Sequence, residues 1–91
     1  MKISLRHLRI VLAVEETRSV TQGAALCHVS QPAVSAALTQ IEAALGTPIF
    51  ERGRGGLILT PAGQAVALRL RRALALLDPS LTALAPRLTR T

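Results

Sequence analysis

Apolar residues recur three or four positions apart in several stretches of the chain, which is the spacing of one face of an α-helix. The first such stretch begins at Leu5 and predicts a helix over about 4–17. Ser19 precedes a second, shorter stretch, Val20–Leu26, and serine is a preferred N-cap because its side-chain oxygen accepts a backbone N–H of the first turn. The pattern therefore predicts a helix and a short second helix in the first third of the chain.

A third helix is predicted over 31–45. Ser30 provides its N-cap, Pro32 is tolerated in the first turn because that N–H has no helical partner, and Gly46 is a typical C-cap. The apolar face of this helix, which we expect to be buried, comprises Val34, Leu38, Ile41 and Leu45.

The helical period is lost after position 48. Two short apolar segments, 49–52 and 57–59, flank the glycine-rich run Gly53–Gly56 and predict a β-hairpin. Thr60 and Pro61 then form a second cap-and-proline start, which indicates that another helix follows the hairpin directly.

This fourth helix is predicted over 61–77, with an apolar stripe along one face. The stripe comprises Val66, Leu70, Ala73, Leu74 and Leu77. A domain of about 60 residues has too little surface to cover such a stripe, so we expect it to be exposed and to pair with a second copy. Beyond it, the residues leave open whether Asp78–Pro79 starts a further short helix or bends the fourth one.

Arginine dominates the charged residues. Eleven Lys+Arg against five Asp+Glu give a net charge of +6, and ten of the eleven are Arg, whose planar guanidinium suits bidentate contact with phosphate. We therefore expect an anionic partner. One Phe, no Tyr and no Trp leave almost no side chains on which single-stranded bases stack, whereas binding to duplex nucleic acid stays open.

Composition also excludes several classes of protein. A single cysteine, Cys27, and two histidines form neither a disulfide nor a four-ligand zinc site, which fits the cytoplasm. The longest apolar runs are five residues, whereas a membrane span needs about 20, and we expect no secretory signal. No Ser–His–Asp set, carboxylate pair or phosphate-cradling glycine loop is present, so we expect neither an enzyme nor a cofactor.

The order of helix, short helix, three-residue turn, helix and hairpin is typical of a winged helix-turn-helix, a mainly α fold with a two-stranded β wing. His28 lies where the turn needs a left-handed backbone, Ala24 where the second helix crosses the third, and Val29 where the turn is plugged. We predict a DNA-binding domain of this type over 1–60, followed by a linker or dimerisation helix with a C-terminal tail over 61–91.

Short, uncharged side chains lie opposite the apolar face of the third helix, which suits entry into a major groove. Gln31 suits adenine, Pro32 and Ala36 suit thymine methyl groups, and hydroxyls at 35 and 39 suit bases or phosphates. The hairpin arginines suit either the DNA backbone or the adjacent minor groove, and Arg18 and Gln22 flank the second helix. The candidate DNA-binding residues are Arg18, Gln22, Ser30, Gln31, Pro32, Ser35, Ala36, Thr39, Arg52 and Arg54.

Several short segments together carry a family resemblance. They are Ala24–x–Leu26, Val29–Ser30–Gln31–Pro32–Ala33–Val34–Ser35, Ile41–Glu42, Leu45–Gly46, Phe50–x–Arg52 and Leu59–Thr60–Pro61–Ala62–Gly63. The chain resembles the N-terminal DNA-binding domain of LysR-type transcriptional regulators from about Leu5 to Gly63, and by helical character through about Leu77. The family's DNA contacts correspond to Gln31, Pro32, Ser35 and Ala36 in the third helix and to Arg52 in the wing.

This resemblance implies a cytoplasmic bacterial regulator that binds double-stranded operator DNA as a homodimer joined through its linker helices. The candidate dimer interface comprises Val66, Leu70, Leu74 and Leu77. The family also forms higher oligomers at full length and binds a small-molecule inducer through a separate C-terminal domain. We expect that domain to be absent here, as in a fragment or a truncated form.

Four positions differ from the family pattern. The second wing arginine, Arg54, stands one place early, Gly23 replaces the usual Ala, Ala36 lacks a long polar chain, and Pro79 falls where the linker helix usually continues. Two other kinds of function stay open at this point. A winged helix can bind protein alone, and a cationic amphipathic helix such as 61–77 can lie on an anionic membrane.

Overall fold

The computed structural model describes residues 3–77. Its elements, in chain order, are α1 (Leu5–Thr17), α2 (Val20–Cys27), α3 (Gln31–Leu45), β1 (Phe50–Gly53), β2 (Gly56–Leu59) and α4 (Pro61–Leu77). The two strands form one antiparallel hairpin. This is the predicted mainly α arrangement of three helices, a wing and a long fourth helix. The predicted tail, including Pro79, lies outside the described residues.

Serine side chains begin the first three helices. Ser4, Ser19 and Ser30 each accept a hydrogen bond from the backbone N–H three residues later. The same helices end on residues with a left-handed backbone, Arg18 (φ 58°), His28 (φ 58°) and Gly46 (φ 74°). The left-handed turn predicted at His28 is thus confirmed.

The main core lies among α1, α2 and α3. Val11, Val14 and Val34 are fully buried in this core. Ile49, which directly precedes β1, is also fully buried there. Leu45 is 43% exposed, so its predicted burial is wrong. The buried side of α3 ends at Ile41, one turn earlier.

Gly23 allows the first two helices to approach closely. A Cβ atom at this position would lie 2.9 Å from Cγ2 of Val14 and 3.3 Å from its Cα. Glycine in a helix interior costs up to about 1 kcal/mol relative to alanine. Here the close crossing of α1 and α2 explains why a side chain is absent.

The fourth helix packs against its own domain. Leu74 is 4% exposed and Ala67 is fully buried, and both contact Leu12 of α1 in a second apolar cluster. Arg71 forms an ion pair with Glu15, which joins the same two helices.

The predicted exposure of the α4 stripe is therefore wrong at Leu74. Leu74 is buried because it packs against Leu12, which lies on the outer side of α1. Leu70 packs against the main core, and Val66 is half-buried. The side chain of Leu77 lies outside the described residues. Among the described helices, none is long and apolar enough to cross a membrane.

Thr60 fixes the start of α4 against the chain that leads into β1. Its N–H donates to the carbonyl of Ile49 at 2.9 Å, its hydroxyl donates to that of Pro48 at 2.8 Å, and Oγ1 accepts from the N–H of Gly63 at 2.9 Å. A Cβ atom at Gly63 would lie 2.2 Å from the Ile49 oxygen. Glycine is thus required by the close approach.

Candidate nucleic-acid interface

One face of α3 is exposed along its length. Val34, Ala37, Leu38 and Ile41 are buried on the opposite face, which orients the rest of the helix. The predicted α3 residues that lie on the exposed face are Gln31, Pro32, Ser35, Ala36 and Thr39. These side chains carry no charge and are short except for Gln31, so the helix backbone can approach another molecule closely.

The α3 N-terminus and the α2 N-terminus are both organised by serine. Oγ of Ser30 accepts from the N–H of Ala33 at 3.1 Å, and Oγ of Ser19 accepts from the N–H of Gln22 at 3.1 Å. Ser30, Gln31 and Gln22 are exposed. The hydroxyl of Ser30 keeps its own hydrogen, which leaves it able to donate to an anion while it caps the helix.

The wing presents two arginines near its tip. Arg52 pairs with Leu57 across the hairpin, and Arg54 lies in the turn between the strands. Both arginines are exposed, whereas Leu57 and Leu59 pack against the core. The apolar half of the hairpin therefore anchors it, and the cationic half extends into solvent.

Arg18 contacts the wing instead of extending freely beside α2. Its carbonyl accepts from the N–H of Leu57 at 2.9 Å, its Nε donates to the Leu57 carbonyl at 3.0 Å, and Nη2 donates to the Arg54 carbonyl at 2.7 Å. A Cβ atom at Gly56 would lie 2.3 Å from the Arg18 oxygen. Arg18 is half-buried, and its candidate DNA contact stays a prediction.

Glu42 connects the end of α3 to the root of the wing. Its Oε2 accepts from the N–H of Ile49 at 2.7 Å, just before β1 begins. A hydrogen bond to a charged carboxylate is stronger than one between neutral groups. This contact ties the root of the wing to α3, and Arg18 ties the wing to the end of α1. Hydrophobic spacing alone does not indicate either contact.

Cys27 is a free, half-buried thiol. Its Sγ donates to the carbonyl of Arg9 at 3.8 Å. Burial raises the pKa of the Cys27 thiol, and the positive charges of Arg9 and Arg6 oppose this shift. No group of His, Cys, Asp and Glu within residues 3–77 is arranged to hold a metal ion.

Comparison with known proteins identifies the family. The family model described as "Bacterial regulatory helix-turn-helix protein, lysR family" matches residues 5–64. The chain belongs to the LysR family. It is a member of a family of DNA-binding transcriptional regulators and not of an enzyme family. The resemblance inferred from the sequence segments is thereby confirmed.

Two relatives illustrate how much of a LysR protein the chain covers. It is 42% identical over 71 residues to the small neutral protease regulatory protein of Streptomyces coelicolor, a match that covers 78% of this chain and 22% of that protein. It is 38% identical over 79 residues to the transcriptional regulator BudR of Klebsiella aerogenes, covering 87% and 55% respectively. The chain thus spans about a fifth of the first relative and about half of the second.

Solved LysR structures have the same fold. The DNA-binding domain of CbnR in complex with DNA superposes with a TM-score of 0.78 at 36% identity, covering 86% of this chain and 90% of that one. The DNA-binding domain of BenM in complex with benA site 1 DNA gives 0.78 at 31% identity, covering 89% and 94%. These likenesses confirm the winged helix-turn-helix.

Proposed function

We propose that this chain binds operator DNA sequence-specifically, with α3 in the major groove and the wing on the adjacent backbone, and that it regulates transcription in the cytoplasm as part of a dimer. The uncharged exposed face of α3 beside two exposed wing arginines carries the proposal, in a chain that belongs to the LysR family. The solved DNA complexes of the CbnR and BenM domains, which have the same fold, support DNA as the partner.

Within this proposal, α3 and the wing have different tasks. Gln31 forms a bidentate contact with adenine, Pro32 and Ala36 contact thymine methyl groups, and Ser35 and Thr39 bond to bases or phosphates. Arg52 and Arg54 contact phosphates, as do the exposed groups of Ser30 and Gln22. Base contacts then specify the operator, while phosphate contacts position the domain without reading sequence.

Selection of bound duplexes from a random pool is the direct test. We expect one enriched motif, with half-sites about 10 base pairs apart if two α3 helices enter successive major grooves. If each protomer neutralises about four phosphates, binding by the dimer has a log–log salt slope of roughly −7. Absence of enrichment together with a flat salt response would refute the proposal.

Two variants separate the two tasks. Gln31→Ala is expected to lose about 1–3 kcal/mol on the selected operator and little on a random duplex, because a bidentate base contact acts only at its own base pair. Arg52→Ala is expected to weaken both duplexes alike. Equal losses on the two duplexes for Gln31→Ala would contradict the groove assignment.

We propose that the dimer contact uses the exposed side of α4. Leu68 and Leu76 are 46% and 87% exposed, whereas Ala67 and Leu74 pack inside the protomer. At about 100° per residue, Leu76 lies opposite that packed side of the helix, and Leu68 lies roughly 110° around the helix from it. A second copy covers such residues by two-fold symmetry and brings two recognition helices to two half-sites. Any small-molecule inducer would act through a separate C-terminal domain and not through residues 3–77.

A further inference from the structure

A cavity of about 300 Å³ lies between the first turns of α1 and the middle of α3. Arg6 and His7 line it from α1, Gln40 and Ala36 line it from α3, and no carboxylate contributes to its wall. Arg6 and Gln40 are exposed. Neither residue is among the candidate DNA-binding residues that the sequence pattern indicated.

Gln40 is held in one orientation by a relay from the α1 N-cap. The backbone N–H of Ser4 donates to Nδ1 of His7 at 3.2 Å, and the Ser4 hydroxyl lies 2.9 Å from the same nitrogen. The neutral tautomer that accepts this bond at Nδ1 carries its ring hydrogen on Nε2. That hydrogen is donated to Oε1 of Gln40, with an Nε2 to Oε1 distance of 2.7 Å. With Oε1 bonded to His7, the amide nitrogen of Gln40 lies on the other side of the amide group and keeps both of its hydrogens available as donors.

Arg6 supplies the positive charge beside those donors. It forms no ion pair with any residue of the described part of the chain, and the alanine at 36 leaves room for a group of another molecule between Arg6 and Gln40. A cation and an amide N–H₂ facing one space without a carboxylate suit an oxygen-rich anion such as a phosphodiester.

The cavity and the wing lie on opposite flanks of α3. At about 100° per residue, Gln40 and Glu42 are separated by about 160° around the helix, and Glu42 bonds to the root of the wing. A helix in a major groove has one phosphate backbone on each side. The wing arginines serve one side, and the first turns of α1 stand at the other.

We propose that Arg6 and Gln40 bind a backbone phosphate of the duplex on the flank of α3 opposite the wing, with His7 as the positioning residue for Gln40. This inference rests on the proposed function, because it places α3 in the major groove. The chemical class recognised is the DNA phosphodiester, so the contact adds affinity without sequence preference.

The test compares Arg6→Ala with Arg9→Ala on a selected operator and on a random duplex. Arg9 is the matched control because it is an exposed arginine of the same helix, three positions later, that does not line the cavity. We expect Arg6→Ala to lose about tenfold in affinity on both duplexes and to lower the salt slope by about 0.9 per protomer, with Arg9→Ala within about twofold of the parent. Equal unfolding temperatures of the two variants establish that the fold is intact.

Two further measurements address position and orientation. A single uncharged methylphosphonate at the contacted phosphate is expected to abolish the difference between the parent and Arg6→Ala. His7→Ala is expected to weaken binding in the parent but not in a Gln40→Ala background, which a general loss of stability would not reproduce.

The results of these experiments distinguish failure of the phosphate site from failure of the proposed DNA-binding function. If the parent bound no duplex, the proposed function and this phosphate site would fall together. If Gln31→Ala lost operator specificity while Arg6→Ala behaved like Arg9→Ala, only the phosphate site would be overturned. The cavity could instead bind free anions and make no contact with DNA. The parent would then bind inorganic phosphate, but Arg6→Ala would leave the salt slope of DNA binding unchanged, and this result would also overturn the proposal.

Discussion

Arg18 and Leu57 are joined by a reciprocal pair of hydrogen bonds, although 39 positions separate them in the chain. The Leu57 N–H donates to the Arg18 carbonyl at 2.9 Å, and Nε of Arg18 donates to the Leu57 carbonyl at 3.0 Å. The left-handed backbone at Arg18 turns that carbonyl toward the hairpin. The end of α1 therefore sets the position of the wing.

Arg18→Gly is expected to loosen the wing without unfolding the domain. Glycine adopts the left-handed backbone freely and keeps the bond from the Leu57 N–H, but it removes the two bonds made by the guanidinium. Each such bond contributes about 1 kcal/mol, so we expect faster amide exchange in β2 and a loss of roughly fivefold in DNA affinity. Hydrogen exchange and binding titrations measure the two effects.

Arg18→Lys separates this positioning role from a direct phosphate contact. Lysine keeps the charge but lacks the planar fork that bonds two carbonyls at once, so we expect it to behave like Arg18→Gly. In a background of Arg52→Ala with Arg54→Ala, either change is expected to add little. Full rescue by lysine with an unchanged salt slope would favour the direct contact.

Leu74→Asp and Leu76→Asp are expected to differ sharply in stability. Leu74 is 4% exposed and packs on Leu12, so a carboxylate there is expected to cost more than about 3 kcal/mol of unfolding free energy. Leu76 is 87% exposed, so the same change at that position is expected to stay within about 0.5 kcal/mol. Urea unfolding of the two variants checks this.

Self-association is expected to follow the exposed leucines. A double variant with Leu68→Asp and Leu76→Asp is expected to sediment as a folded monomer at concentrations where the parent is a dimer, because each partly exposed leucine contributes on the order of 1 kcal/mol when covered. A double variant that still dimerises would show that the second copy docks elsewhere on the chain.

Gly63→Ala is expected to be more destabilising than Gly46→Ala. The new methyl group at 63 would meet the Ile49 carbonyl oxygen at 2.2 Å, which forces α4 away from the β1 root and costs about 1–3 kcal/mol. Gly46 has φ 74°, but no atom lies within 4 Å of the place where a methyl group would stand, so alanine is strained only in its backbone, by about 1 kcal/mol. Thermal unfolding of both variants gives the order.

Glu15 is expected to make stability fall as pH rises. Burial raises its pKa above the ordinary 4.5, an effect opposed by the charge and hydrogen bond of Arg71, and its Oε1 is buried without a partner in the described structure. The folded state therefore binds a proton that the unfolded state has already released. The stabilisation from this bound proton is complete below pH 4.5, and it is lost as the pH rises through the higher pKa of Glu15 in the folded state.

Glu15→Gln tests this dependence in urea titrations across the same range of pH. We expect it to remove the decline, which is about 1 kcal/mol or less because the side chain is partly solvated. Arg71→Met is expected to enlarge the decline, since the carboxylate then ionises without its guanidinium. Glu51→Gln is the control on an exposed wing position and is expected to leave the profile unchanged.

Local signals were sufficient to predict the secondary structure and the family. Ser19 and Ser30 cap helices, His28 and Gly46 end them, and the run Gly53–Gly56 makes the hairpin turn. These effects act within a few residues, so they are recognisable without knowing which elements pack together. The LysR segments are local in the same sense.

Tertiary structure decided which surfaces remain for partners. The apolar period of α4 predicts an exposed stripe, but one of its residues, Leu74, packs on Leu12, more than sixty positions earlier in the chain. The sequence pattern makes Arg18 a candidate DNA contact, and only the packed structure reveals that its guanidinium also bonds to the wing. Residues so far apart meet only when helices and hairpin pack. The spacing of hydrophobic residues predicts which face of its own helix a side chain lies on. It does not predict which residue of another element packs against that face.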